Sequence, residues 1–192
     1  MKHFYESING FFNQSHKQLF DTILKKSPSE GTWVEVGSFI GKSIAYIYCE
    51  SLQQNKKYEF HTIDPFLSHP ETEKFYDAFK INGNNLYEEF LKNIDPIKDK
   101  INHYKNTSVE VSKKFNNESV DVIYIDGAHD YDSVKADIES WYPKMKKISI
   151  MSFDDYLSPH IGLKKAVDEF IQKENLNLNL IGWTAFVELS KK

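Results

Sequence analysis

The chain has 192 residues, of which 40% are hydrophobic and 27% charged, the composition of one domain with a buried core and at most an insertion. Aromatic residues reach 15% and glycines number only 8, which excludes collagen-like, linker-like and disordered classes. The net charge is -4 and all 24 basic side chains are lysines; without the planar fork of arginine for bidentate contacts, nucleic acid is disfavoured as a partner.

The N-terminal stretch MKHFYESINGFFNQ carries Glu6 and Asn9 where a secretory leader needs an unbroken apolar run. Leu19, Phe20, Ile23 and Leu24 then predict a helix within a helical segment over 1–30. TWVEVG (32–37) is the first of four short apolar runs that suit strands buried on both faces; the others are YEFHTID (58–64), VDVIYID (120–126) and KISIMSF (147–153). INHYKNTS (101–108) is a weaker fifth. Helical stripes alternate with them: Ile44, Ile47, Tyr48 and Leu52; Leu86, Phe90, Leu91 and Ile94; Val134, Ile138 and Trp141; Leu163, Ala166, Val167, Phe170 and Ile171. The tail LNLNLIGWTAFVELS has period two around Gly182-Trp183, as an antiparallel hairpin does. The pattern predicts an α/β fold, a three-layer α/β/α sandwich with a mostly parallel sheet. No stretch approaches the roughly 20 apolar residues of a membrane span. The single cysteine, Cys49, forms no internal disulfide, which suits a reducing, cytoplasmic compartment.

In such a sheet the ligand lies outside the carboxyl ends of the strands, so the residues just after each strand matter most. Glu35-Val36-Gly37-Ser38-Phe39-Ile40-Gly41-Lys42-Ser43 joins the first strand to its helix, with two glycines for a tight turn and close approach to a ligand. The stretch is not a P-loop: three residues separate Gly37 from Gly41-Lys42-Ser43, where a phosphate cradle needs four. Glu35, an acid in an apolar strand, requires a partner, expected at the crevice. The second strand ends at Asp64, 23 residues beyond Gly41, where an acid can accept both ribose hydroxyls of a nucleoside or can simply cap a turn before Pro65. Turn and acid together favour a nucleoside cofactor without separating NAD from S-adenosylmethionine.

Asp126 closes the fourth strand, with His129 three residues on, and Asp154-Asp155 close the next. If these strands are neighbours, three carboxylates and an imidazole share one crevice. Like charges raise one another's pKa unless a cation sits among them, and hard oxygen donors suit Mg²⁺, Ca²⁺ or Mn²⁺. The bland alternatives are an N-cap pair for the following helix and a loop histidine.

VEVGSFIGKS, the acid closing the second strand, SVDVIYIDGAHDY, the later DDY and GLKKAVDEF together resemble a class I S-adenosylmethionine-dependent methyltransferase, and are similar to the macrocin-type small-molecule O-methyltransferases over about residues 31–171. The resemblance implies a single Rossmann-like methyltransferase domain over 1–192. It implies that Glu35, Gly37, Ser38, Gly41 and Ser43 line the cofactor's methionine and ribose end, that Asp64 holds the ribose, that Thr107 and Ser108 flank the adenine and that Asp126 contributes to the cofactor side. It also implies that Asp126, Asp154 and Asp155 bind a divalent metal such as Mg²⁺, with His129 as general base. The usual Pro-Gly-Gly turn before the fifth strand is replaced by Pro143-Lys144-Met145-Lys146-Lys147, and no long N-terminal substrate domain is expected.

The expected reaction is metal-assisted O-methylation of a sugar, polyol or other small molecule. A vicinal diol or catechol would chelate the metal through two oxygens. Residues 66–83 are long for a strand-to-helix connection; Phe66, His69, Phe75 and Tyr76 there form either a lid over the substrate or an ordinary helix packed on the core. The rival readings are an NAD-dependent oxidoreductase, disfavoured by the missing G-x-G-x-x-G and Tyr-x-x-x-Lys, and an inactive cofactor-binding module. A homo-oligomer is left open.

Overall fold

Runs of Val, Ile, Tyr and Phe bounded by turn residues pair side by side in the computed structural model, which describes residues 3–81 and 85–191. The strands are β1 (Glu30–Val36), β2 (Lys57–Asp64), β3 (Ile101–Lys105), β4 (Val120–Ile125), β5 (Met145–Phe153), β6 (Leu178–Ile181) and β7 (Thr184–Ser190). They form one seven-stranded sheet in the order β3-β2-β1-β4-β5-β7-β6. β1 to β5 run parallel; β7 is antiparallel to both β5 and β6. The strand order reverses direction at β1, whose two neighbours are β2 and β4, so the crevice expected of such a sheet opens between the loops that follow β1 and β4.

The helices cover both faces. Side chains alternate along each strand, so Trp33, Phe60, Val122 and Tyr124 face one layer, and Val34, Ile63, Ile123 and Ile125 the other. On the first face lie α1 (Gln14–Lys26), α2 (Lys42–Gln53) and, after the two short helices α3 (Pro70–Glu73) and α4 (Tyr76–Phe79), α5 (Leu86–Asn93). On the second lie α6 (Ser108–Ser112), α7 (Tyr131–Trp141) and α8 (Ile161–Glu174). Most residues of the predicted stripes are buried; Tyr48, Leu91 and Ile171 are half-buried at the edge of the core, and Leu52 is exposed, with Cys49 and Ser51 of α2 buried instead. No described helix is long and apolar enough to cross a membrane.

In the segment predicted as lid or core helix, the aromatic side chains pack on other parts of the chain. Phe66 is buried against Tyr87 and Phe90 and belongs to the core. Phe75 packs on Phe11 and Phe79, and Tyr76 stacks on Phe39 of the β1–α2 loop. Residues 82 and 83 of that segment lie outside the described residues.

At the centre of the first face, Phe20 of α1 meets Trp33 and Tyr124 edge-on, with ring centroids 5.7 and 4.9 Å away. Phe20 is fully buried, so Phe20→Ala should cost about 3–5 kcal/mol in urea unfolding, the sum of lost transfer energy and a cavity between rigid rings. A loss under about 1 kcal/mol would show that α1 is not anchored there.

Candidate active site

The ends of four adjacent strands are stitched together one step beyond the sheet. Gly37 N–H donates to Ile63 O, Asp126 N–H to Val36 O, and Asp154 N–H to Ile125 O, at 2.8, 2.8 and 2.9 Å. These bonds put Asp64, the Gly37 turn, Asp126 and Asp154 in a row. Gly37 has φ +92°, and a Cβ there would stand 1.8 Å from the Asp126 carbonyl oxygen. Its glycine character therefore serves the contact between the β1 and β4 loops. Gly41 (φ +87°), the N-cap of α2, packs against Ile94 and Phe90 in the same way. Each glycine thus serves a close contact within the chain.

Glu35 was expected to find its partner at the crevice. It is buried, and its partners are internal: Ser43 Oγ donates to Oε1 (2.6 Å) and Thr62 Oγ1 to Oε2 (2.5 Å). Because Thr62 spends its proton on Glu35, it accepts from Ser38 Oγ at 2.5 Å. Glu35, Ser38 and Ser43 thus form one buried network that fixes the β1–α2 loop from beneath. Thr62, opposite Glu35 in the β1–β2 register, was missed; a lone hydroxyl in YEFHTID was its only signal.

Asp64 accepts Phe39 N–H on Oδ2 (2.8 Å) and Phe66 N–H on Oδ1 (2.6 Å). The second bond is the turn-capping role anticipated before Pro65. Both phenylalanines have positive φ (45° and 54°), so Asp64 holds two strained loop residues beside the crevice. Each carboxylate oxygen keeps a second acceptor site. Thr107 is the exposed N-cap of α6, whereas Ser108 Oγ is taken by Trp141 Nε1 at 2.6 Å. That bond ties α6 to α7.

The acidic strand ends form the second half of the site. The Asp126 carboxyl is driven well above the usual carboxylate range, first by burial and then by the charges of Asp154, Asp155 and Glu35. Tyr124 hydroxyl donates to Asp126 Oδ2 at 3.2 Å. Asp154 is 6% exposed; burial is the largest single influence and works to raise it, but the hydrogen bond and charge of His16, the Asp155 backbone N–H and the Tyr124 hydroxyl together hold it low. His16 Nε2 lies 2.9 Å from Asp154 Oδ2, while Asp154 Oδ1 is buried with no hydrogen-bond partner among the described residues. Asp155 sits at φ +50°, raised by burial and by Asp154. The N-cap alternative for Asp154-Asp155 fails, since α8 begins only at Ile161 and its N-cap is His160.

His129 Nε2 is 3.6 Å from Asp155 Oδ2, and its ring lies against His160 with centroids 4.1 Å apart. Ligating atoms of His129, Asp155 and His160 lie within 4.8 Å of one another. His16 and His160 were not foreseen; each comes from a segment whose sequence has no motif.

The chemistry of these acids and the orphaned buried oxygen of Asp154 suit positive charge, but the ligating atoms that converge within 4.8 Å are those of His129, Asp155 and His160 and include neither Asp126 nor Asp154. The carboxylate donors fit a hard divalent ion.

A parallel sheet that reverses at β1, closes with an antiparallel β7 and carries a glycine turn and acidic strand ends is the class I methyltransferase architecture. The chain belongs to the methyltransferase domain family, whose model matches residues 34–156. A curated relative, uncharacterized protein y4gI of Sinorhizobium fredii, is 39% identical over 51 residues, 27% of this chain and only 6% of the relative's length. Among solved structures, the O-methyltransferase NovP superposes with a TM-score of 0.65 at 16% identity, over 92% of this chain and 80% of NovP. The methyltransferase MycE of the mycinamycin biosynthetic pathway, solved with Mg, SAH and mycinamycin VI, gives 0.58 at 12% identity over 95% of this chain and 51% of MycE.

Burial pushes the Glu35 carboxyl up to about 7, against the lowering effect of the Ser43 and Thr62 hydroxyls, from an ordinary value of 4.5. The folded chain therefore binds more protons than the unfolded one between those values, and this group's contribution to stability falls as pH rises through that window. At about 1.4 kcal/mol per unit the total is roughly 3 kcal/mol. Glu35→Gln removes it, so the stability of the variant relative to the parent should rise by that order between pH 4.5 and 8 in urea unfolding. A pH-independent difference would contradict the assignment.

Proposed function

We propose that the chain transfers the methyl group of S-adenosylmethionine to a hydroxyl of a small molecule, with a divalent cation on the acceptor side. The observation that carries this reading is the row of Asp64, Gly37, Asp126 and Asp154 along four adjoining strand ends, with His129 and Asp155 beside it. Family membership supports the methyl transfer; the acceptor oxygen rests on the acidic cluster and on the likeness to the O-methyltransferase NovP, and the cation on that cluster and on the likeness to MycE, solved with Mg.

Asp64 binds the ribose hydroxyls through the acceptor sites its two backbone donors leave over, and Thr107 flanks the adenine. The β1–α2 loop, fixed from beneath by Glu35, Ser38, Thr62 and Ser43, gives the cofactor a preformed edge, so little ordering is left to binding. The cofactor supplies an activated methyl group, and a bound Mg²⁺ or Mn²⁺ supplies positive charge that acidifies the acceptor hydroxyl. Asp126, Asp155 and Oδ1 of Asp154 would hold the ion. His129 takes the hydroxyl proton as the oxygen attacks the methyl carbon, the methyl C–S bond breaks and S-adenosylhomocysteine leaves with its electron pair, and the carboxylate of Asp155 beside the ring stabilises the imidazolium that results. Vicinal diols of sugars or polyols, and catechols, suit a site that can engage two neighbouring oxygens.

One observation favours a second reading of the cation's ligands: the convergence of His129, Asp155 and His160. There His129 would be a ligand and not the base. His160→Ala separates the two, leaving Mn²⁺ affinity intact in the first and abolishing it in the second.

With methyl-labelled S-adenosylmethionine and a panel of diol and catechol acceptors, transfer should stop in EDTA and return with Mg²⁺ or Mn²⁺. His129→Ala should keep the fold and cofactor affinity while losing roughly 10²–10⁴ in rate, the usual contribution of a positioned base. Full turnover by a chelated preparation would overturn the cation, and parental turnover by His129→Ala would overturn the base.

A further inference from the structure

His16 belongs to none of the motifs that mark the family, and it stands 138 residues from the acid it touches. It is the third residue of α1 and completes a capping box there: the backbone N–H of Asn13 donates to His16 Nδ1 at 2.9 Å. An imidazole nitrogen that accepts an N–H carries no proton, so the ring proton is on Nε2. That nitrogen faces Asp154 Oδ2 at 2.9 Å, and the bond therefore runs from Nε2–H to the carboxylate. The ring plane is fixed as well, since Phe12 stacks on it with centroids 5.2 Å apart and 23° between planes. His16 is 8% exposed and Asp154 6%, so water does not compete for the bond.

The consequence lies on the other oxygen. With Oδ2 tied to a ring that cannot turn, the carboxylate of Asp154 cannot rotate, and Oδ1 is left buried without a hydrogen-bond partner among the described residues. Leaving an acceptor of an ionised group unsatisfied is costly unless something positive comes to it.

We propose that His16 is a positioning residue for the cation site: it locks Asp154 in one rotamer so that Oδ1 is presented to the ion, and so makes the N-terminal helix part of the metal-binding machinery. The proposal rests on the reading that Asp126, Asp154 and Asp155 hold the cation. Carboxylate ligands of metals are commonly oriented in this way by an outer hydrogen bond, whose loss costs about 10–100-fold in affinity.

The test is Mn²⁺ binding by the full chain, read by electron paramagnetic resonance, for the parent, Asp154→Asn, His16→Ala and His16→Gln. The amide of His16→Gln still offers a donor where Nε2 was. Asp154→Asn and His16→Ala should both lose about 10–100-fold in affinity, with His16→Gln recovering most of it. Parental affinity in His16→Ala beside a loss in Asp154→Asn would overturn the role of His16 and spare the cation reading. No Mn²⁺ binding by the parent, or none lost in Asp154→Asn, would overturn both. Should His16→Ala fail to fold, long-range ¹H–¹⁵N spectra of the parent and the His16→Gln titration decide. A protonated Nε2 with retained affinity in His16→Gln supports the proposal; a protonated Nδ1, or affinity lost in His16→Gln, overturns it.

Discussion

Three carboxyl groups held side by side at the ends of two adjacent parallel strands cannot all be ionised without a positive partner, and that constraint organises much of the molecule. The sheet makes it unavoidable, because the β4–β5 pairing continues from Ile125 and Phe153 into Asp126 and Asp154. The surrounding chain answers in part. Tyr124 donates to Asp126, His16 donates to Asp154, and His129 stands beside Asp155, one donor or imidazole to each acid. Oδ1 of Asp154 is the one oxygen of that acid left without a hydrogen-bond partner among the described residues, and the proposed cation would answer it.

The cofactor half of the crevice follows a different principle. There the buried polar groups of Ser38, Thr62, Glu35 and Ser43 are paired with one another in one chain of hydrogen bonds. A buried network of that kind rigidifies the backbone above it. The cost appears in Phe39 and Phe66, both held at positive φ by the single carboxylate of Asp64. A firm cofactor edge and an electrostatically unfinished acceptor edge therefore meet at Gly37, where the two loops touch too closely for any side chain.

The fold was legible because burial imposes periodicity: VDVIYID reads as a strand covered on both faces, and every residue of β4 is buried. The strand-end acids were legible for the same reason, since charge at the end of an apolar run is costly unless used. What the sequence did not reveal depends on contacts between distant segments. The two glycines of the first loop read as turn residues, and only the proximity of Asp126 and of Ile94 shows that each also serves a contact within the chain. The bond from Trp141 to the Ser108 hydroxyl had no signal in the sequence. His16 and His160 sit outside every motif, and nothing local marks a histidine whose partner is a strand end far along the chain.

The central claim is that Asp64 and the β1–α2 loop form a binding edge for S-adenosylmethionine. Calorimetric titration of the parent and of Asp64→Ala with S-adenosylhomocysteine, and of the parent with NAD, tests it most directly. The account predicts saturable binding of S-adenosylhomocysteine, none of NAD, and a loss of about 1.5–3 kcal/mol in Asp64→Ala, the scale of hydrogen bonds to a charged group. Equal affinity in parent and variant, or saturable binding of NAD in its place, would contradict it.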